Sequence, residues 1–313
     1  AALRLGICCG GSLGVLASQE WGDPGSLRLG SWVWGWLVVL LPAALGGIAE
    51  DMTQRLSVRY RLILTGASGI LAVVLLDLTL ARMGWPWLDT VLAAAPWLGV
   101  VIVVLAVAGR PHGFDIIDGY DGLAGMVALI VCLALAHVAL QVGDRALAAL
   151  LVSTAAATGG FLVWNYPRGM LFAGDGGAYV WGVVIAMASI SLVQRNADVS
   201  PWFPMLLLIY PVWETVFSIY RKAVRGVSPG VADALHFHQL IYRRIVRGVF
   251  HDDESRRMLM RNNRTSPYLW GFTLLTVVPA VLFWNNTLLL MAFCGLFVVS
   301  YVMAYLAIVR FKV

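Results

Sequence analysis

Apolar runs of nearly 20 residues recur along this chain, and they decide what it can fold into. A helix of that length crosses a hydrocarbon core of about 30 Å. Ten such segments can be read, at 3–18, 31–48, 60–80, 92–109, 122–140, 146–164, 177–193, 201–220, 267–284 and 287–309. The first is short and Gly-rich, and the last two are separated by a tight Asn285-Asn286-Thr287 turn. Only 12% of the 313 residues are charged, against about 25% in a soluble domain. That is too little to cover a water-facing surface, so a soluble enzyme, a disordered chain and a disulfide scaffold are all excluded. The expected fold class is an all-α polytopic membrane protein with about ten transmembrane helices. A single transmembrane domain is expected over 1–313, with 221–266 as its one long polar stretch.

Cys8, Cys9, Cys132 and Cys294 lie in apolar runs without zinc-knuckle or CxxC spacing, and read as buried thiols. The chain starts at Ala1, and no secretory signal precedes the first apolar run. Its true beginning is therefore expected to lie upstream. The net charge of +5 is a matter of membrane topology rather than of nucleic-acid binding.

Lys and Arg set the orientation. With the 49–59 loop on one side, alternation gives that side 18 of the 22 basic residues: Arg4, Arg55, Arg59, Arg61, Arg110, Arg168, Arg310, Lys312 and ten within 221–264. Arg28, Arg82, Arg145 and Arg195 fall on the other side. The richer side is expected to be cytoplasmic, with 221–266 a basic cytoplasmic loop carrying a His-x-His motif.

Seven acids join those cations: Glu50, Asp51, Asp115, Asp118, Asp121, Asp175 and Asp233. They come from four loops, yet topology stacks them on one face. Carboxylates crowded beside hydrocarbon repel one another and lose hydration, so a cation is expected among them. Oxygen ligands suit Mg²⁺, or Mn²⁺, with a phosphorylated substrate. Each loop also has a plainer reading. Glu50 and Asp51 could be a solvated helix end followed by positive-inside arginines. They point about 100° apart on a helix, so different work is expected of each. Asp118 and Asp121 would share a face in a helical turn, and one aspartate there could be a cap. Three aspartates in seven residues exceed what capping requires. Asp175, between glycines at a helix start, could likewise be an N-cap. His236 and His238, two apart, would not share a helical face, so either the stretch is extended or only one points inward. The run from Leu240 to Ile245, with Arg243 and Arg244, could lie in the membrane interface as a basic helix. Glu214 sits within an apolar segment, where it is either functional or bonded to a neighbouring helix.

These four loops, in this order, resemble the bacterial polyprenyl-phosphate N-acetylhexosamine-1-phosphate transferases of glycosyltransferase family 4. That family includes the UDP-GlcNAc:undecaprenyl-phosphate GlcNAc-1-phosphate transferases and the phospho-MurNAc-pentapeptide translocases. Glu50-Asp51 is similar to its Asp-Asp pair, and HGFDIIDGYDGLAG to its Asn-Ala-x-Asn-x-x-Asp-Gly-x-Asp-Gly-Leu-Ala-Gly. Asn165-Tyr166-Pro167 with LFAGDGG is similar to Asn-x-Pro…Phe-x-Gly-Asp-x-Gly, and Asp233 with His236-Phe237-His238 to its cytoplasmic histidine motif. Glu214 falls where the family usually has Asp after Pro-x-x. The chain departs from the pattern at Glu50, and at His112 and Asp115, which replace two asparagines. Eleven helices are typical of the family, so the resemblance implies that its first helix is missing here. The sequence His-Phe-His-Gln looks more like the GlcNAc-1-phosphate or O-antigen-initiating branch than the translocase branch.

The resemblance implies an Mg²⁺-dependent enzyme of the bacterial inner membrane. It would transfer N-acetylhexosamine 1-phosphate from a UDP-sugar to polyprenyl (undecaprenyl) phosphate, release UMP and initiate an envelope glycan of O-antigen type. Asp175 would be the main metal ligand, with Asp118 assisting. Glu50, Asp51, Asp118 and Asp121 would be catalytic. Asp115, Asn165, His236, His238 and Arg243 would serve substrate binding. Arg55, Arg59 and Arg61 would meet the lipid phosphate. A homodimer is compatible with the family. Two rival expectations are a secondary transporter, which would place acids near the bilayer midplane and show repeated halves, and a catalytically impaired family member.

Overall fold

The computed structural model describes residues 30–228, 235–248 and 253–310. The 3–18 segment, Arg4, Cys8, Cys9, Arg28, Asp233, His251 and Lys312 lie outside them. Twelve α-helices follow in order: α1 (Gly30–Thr53), α2 (Val58–Leu76), α3 (Pro86–Ala94), α4 (Pro96–Ile117), α5 (Leu123–Gln141), α6 (Arg145–Asn165), α7 (Gly174–Arg195), α8 (Trp202–Leu207), α9 (Ile209–Val224), α10 (Phe237–Leu240), α11 (Glu254–Leu282) and α12 (Thr287–Arg310). A π turn, Ile241–Ile245, and a 3₁₀ turn, Val246–Gly248, follow α10.

Among the described residues eight helices, not ten, are long and apolar enough to cross a membrane: α1, α2, α4, α5, α6, α7, α11 and α12. One expected segment lies outside the description. The other, 201–220, is broken at Leu208 into α8 and α9, each too short to span alone. Pro211 has no N–H, so the Leu207 carbonyl loses its helical partner there.

Two boundaries also differ from expectation, and both matter for the site. Helix α4 continues to Ile117, so Arg110, His112 and Asp115 are helical rather than in a loop. Helix α11 begins at Glu254, well before residue 267, because Asp253 accepts from the N–H groups of Ser255 and Arg256 and caps it. Much of the expected 221–266 loop is therefore ordered helix.

Helix α7 is the axis of the bundle, with 16 of its 22 residues buried. It packs on α4 and α1 at glycine. A Cβ on Gly182 would collide with the Pro111 nitrogen, and one on Gly47 would stand 2.6 Å from the Asp175 carbonyl group. Backbones this close leave room for hydrogen only, and they bring the ends of α1, α4 and α7 together. Outer helices leave Ile63, Ile70, Val74 and Leu105 exposed, side chains suited to contact with acyl chains. At the far end Arg82 donates to the carbonyls of Val193, Asn196 and Val199, which closes the α7 terminus.

Candidate active site

Asp175 lies in the first turn of α7, immediately after Gly174 turns the chain at φ +61°. The free N–H groups of that turn are met from α1: Asp175 N donates to Asp51 Oδ1 at 2.8 Å and Gly176 N to Asp51 Oδ2 at 2.9 Å. Asp51 is thus a cap supplied by another helix, placed where the partial positive charge of a helix start favours an anion. Glu50 turns elsewhere and accepts from Leu56 N at 2.8 Å, closing the turn between α1 and α2. The adjacent acids have different partners, as their helical angle requires.

Arg61 of α2 donates to Asp175 Oδ2 at 2.8 Å and stands 4.0 Å from Asp115 Oδ2. Arg55 and Arg59 are exposed; of the three arginines only Arg61 reaches the carboxylates. Asp118 ends α4 with φ −80° and ψ 46°. Asp121 lies in the following turn before Gly122, so the two are not on one helical face. Burial pushes the Asp118 carboxyl up to about 7, with Asp175, Asp121 and Asp51 adding repulsion. Burial also raises Asp121. His112, in place of a family asparagine, approaches the Thr65 hydroxyl and the Tyr179 hydroxyl at 3.4 Å each.

Among the described residues no three His, Cys, Asp or Glu side chains form a metal cage. Mg²⁺ commonly takes only one or two carboxylates and completes its shell with water and substrate phosphate. Asp175 and Asp118 fit that donor set: both offer hard oxygens, and Asp118 makes no side-chain hydrogen bond among the described residues.

The histidines both point inward because only one of them is helical. His236 is extended, with ψ 149°, and precedes α10, whereas His238 is in its first turn. Their rings stack with centroids 5.5 Å apart and planes 5° from parallel. His236 Nδ1 is 2.9 Å from Glu214 Oε1. His238 is buried, and its Nε2 stands 3.0 Å from where a Cβ on Gly119 would lie. Burial pushes the His238 imidazole down to about 4, with Glu214 opposing the fall and His236 adding to it. The edge of His238 meets Tyr120, Tyr120 stacks on Tyr242 at 5.2 Å, and Arg261 lies 4.3 Å over Tyr242. Tyr120 is pushed up to about 12, chiefly by burial. Arg243 is exposed in the π turn.

Asn165 is buried, accepting from Gly122 N and donating to the Leu171 carbonyl at 2.7 Å. It ties the α4–α5 turn to the loop before α7. The first half of α11 completes this framework and was not singled out in the sequence. Asn262 accepts from Asp121 N, Ser266 donates to the Asp121 carbonyl, and Trp270 donates to the Gly122 carbonyl. Their spacing of four places them on one helical face, a signal hidden while the stretch was read as loop. Pro267 cannot bond the Asn263 carbonyl within the helix, and the Tyr166 hydroxyl donates to it instead at 3.2 Å. A cavity of about 370 Å³ opens beside these loops, lined by Tyr120, Asp121, Arg168, Phe172, Tyr242 and Asn262 among others.

A family model described as glycosyl transferase family 4 matches residues 33–193, slightly more than half of the chain. The chain is 29% identical over 145 residues to the undecaprenyl-phosphate alpha-N-acetylglucosaminyl 1-phosphate transferase of Thermotoga maritima, covering 46% of this chain and 44% of that protein. It is 28% identical over 156 residues to a probable undecaprenyl-phosphate N-acetylglucosaminyl 1-phosphate transferase of Bacillus subtilis, covering 50% and 43%. With the undecaprenyl-phosphate alpha-N-acetylglucosaminyl 1-phosphate transferase of Escherichia coli K12 it shares 26% over 200 residues, covering 62% and 54%. The chain thus spans about half the length of the curated relatives it matches.

Proposed function

The chain belongs to glycosyl transferase family 4, and on that footing we propose that it transfers N-acetylhexosamine 1-phosphate from a UDP-sugar to polyprenyl phosphate and releases UMP. N-acetylglucosamine, the sugar in the relatives' names, is the first candidate. One observation carries the reading: Asp51 at the end of α1, Asp115 and Asp118 at the end of α4, and Asp175 in the first turn of α7 gather around Arg61. This is a place for a cation and phosphates at the end of an apolar bundle, where a lipid phosphate and a water-borne donor can meet.

In the reaction an oxygen of the lipid phosphate attacks the β-phosphorus of the donor. The new P–O bond forms as the bond to UMP breaks, and the electron pair leaves on UMP. Asp175 and Asp118 would hold Mg²⁺, or Mn²⁺ in its place. That ion, when bound, supplies neutralisation of the diphosphate and of the departing UMP. A phosphate monoester with a second pKa of about 6 is mostly ionised at pH 7, so Glu50 and Asp51 need not remove a proton. Their work is to fix the loop and α7 around the acceptor. Arg61 keeps Asp175 aimed and offers charge to the lipid phosphate, with Arg55 and Arg59 beside the bilayer as its outer contacts. Asp121 and Asn165 hold the walls. The cavity beside Tyr120, Phe172 and Arg168 offers flat aromatic faces and a cation, which suit a base and its phosphates. His236, His238 and Arg243 border the same donor side. The reading places the reaction on the cytoplasmic face of a bacterial inner membrane, where it would begin an O-antigen-like glycan.

The test is direct. Membranes containing the full chain receive UDP-N-acetylglucosamine, undecaprenyl phosphate and Mg²⁺. UMP and a lipid-linked diphosphate sugar are expected. Asp175→Asn is expected to abolish UMP release while the protein stays folded; retained release would overturn the metal assignment.

A further inference from the structure

Glu214 has no assigned part in the reaction, and its surroundings are unusual. It lies in α9 within an apolar segment and is fully buried. A carboxylate there loses its hydration and must be compensated by donors. Three supply it. Tyr301 of α12 donates to Oε2 at 2.6 Å, Phe237 N donates to Oε1 at 3.2 Å, and His236 Nδ1 reaches Oε1 at 2.9 Å. Three donors on two oxygens select the acceptor-only, ionised carboxylate. Against it, Nδ1 of His236 carries the proton.

We propose that Glu214 is the positioning residue of His236: it holds the ring by Nδ1 and turns Nε2, the one nitrogen left, into the contact for an anionic phosphate oxygen of the donor. The proposal rests on the transferase reading for the identity of that anion. Four features support it. His236 Nε2 has no partner among the described residues. The His236 side chain is 11% exposed, whereas that of Glu214 is 0% exposed, so only the ring meets an incoming ligand. The ring is clamped on its face by His238, which in turn rests on Gly119 between Asp118 and Tyr120. Phe237 N, bonded to the same oxygen, fixes the backbone that carries the ring. A carboxylate behind an imidazole favours its doubly protonated form when an anion arrives in front, because Nε2–H then donates to that anion. No group is transferred: on binding, an N–H bond forms at Nε2 of His236 as a buffer acid in the solvent gives up its proton, and on release the proton returns to the buffer base.

A purely structural Glu214 would tie α9 to α12 and leave the histidine indifferent to its charge. The full chain in nanodiscs, labelled with ¹⁵N-histidine, separates the two. The His236 signals are identified by their loss in His236→Gln. In the wild type, Nδ1 is expected to be protonated, and Nε2 to gain a proton on adding UDP-N-acetylglucosamine. In Glu214→Gln the second change is expected to disappear. In UMP-release assays Glu214→Gln is expected to raise the KM for the UDP-sugar about tenfold to a hundredfold. The KM for polyprenyl phosphate should hold, and Glu214→Asp, which keeps the charge, should recover part of the loss. An unprotonated Nδ1 in the wild type, or a Glu214→Gln with unchanged donor KM, overturns the proposal. Should Glu214→Gln fail to fold, the wild-type spectra and Glu214→Asp decide. Should even the wild type release no UMP, the transferase reading fails, and the same titration with inorganic pyrophosphate decides whether Nε2 takes up the proton.

Discussion

Asp51 caps the start of α7 and carries a charge beside Asp175, and the two contributions can be separated by substitution. Its two oxygens take the first free N–H groups of α7, so Asp51→Ala is expected to cost about 1 kcal/mol of stability, read as a lower unfolding temperature in detergent. Asp51→Asn keeps an acceptor for one of the two N–H groups, turns its NH2 towards the other and loses the charge. It is expected to be more stable than Asp51→Ala and yet to lose at least about tenfold in UMP release; activity and stability falling in proportion would leave Asp51 only a cap. His238 offers a second measurement. Its folded form titrates near 4, against 6.5 for an unburied imidazole. Between those values the unfolded chain binds more protons, so the contribution of His238 is complete above pH 6.5 and is lost as pH falls towards 4. His238→Asn should flatten that part of the stability curve. The acids themselves were legible in the sequence, because three aspartates in seven residues exceed what capping requires and alternation puts four acidic clusters on one face. The partner of each was not. Asn165 reads as a substrate ligand until both ends of its amide are seen to be occupied by the chain's own backbone.

Helices reveal their apolar middles more readily than their ends. The run over 92–109 was visible, but α4 continues through Arg110, Pro111 and His112 because Gly182 lets its backbone lie against α7. Spacing within one segment carries no trace of that contact. The break at Leu208 was signalled by Pro204 and Pro211, yet the apolar composition of 201–220 outweighed it. The start of α11 was signalled too, by Asp253 as a cap, and concealed by the many charges that follow. The α4–α7 contact gives a sharp expectation. A methyl group on Gly182 would meet the Arg110–Pro111 backbone, which cannot rotate away, so the helices must separate. Gly182→Ala is expected to destabilise by about 1–3 kcal/mol. Asp115 and Asp118 end one helix and Asp175 starts the other, so it should also depress UMP release more than an Ala substitution at Gly160, where nothing lies within 4 Å. Thermal unfolding and the UMP assay on the two variants check this.

The two ends of the bundle are knit separately, and this gives the charge count a geometry. Residues 50–61, 115–122, 165–176 and 236–270 bond among themselves at one end. At the other, Arg82 meets the 193–199 stretch, and Ser200 meets Trp284 and Thr287. The sequence could assign loops to sides by alternation, but it could not show that four loops on one side touch. That required the close packing of α1, α4 and α7. The acids gather at the end to which alternation along the sequence assigns 18 of the 22 basic residues, so on the proposed function the positive-inside tendency and the supply of a UDP-sugar would point to the same compartment. Accessibility tests that agreement without relying on catalysis. In a chain freed of its four cysteines, Asn285→Cys and Val227→Cys place single exposed thiols at opposite ends. A membrane-impermeant maleimide added to spheroplasts is expected to label Asn285→Cys at once and Val227→Cys only after permeabilisation. The reverse pattern would put Asp175 and Arg61 outside the cell, away from UDP-sugars, and the transferase reading would fail whatever the local geometry of the site.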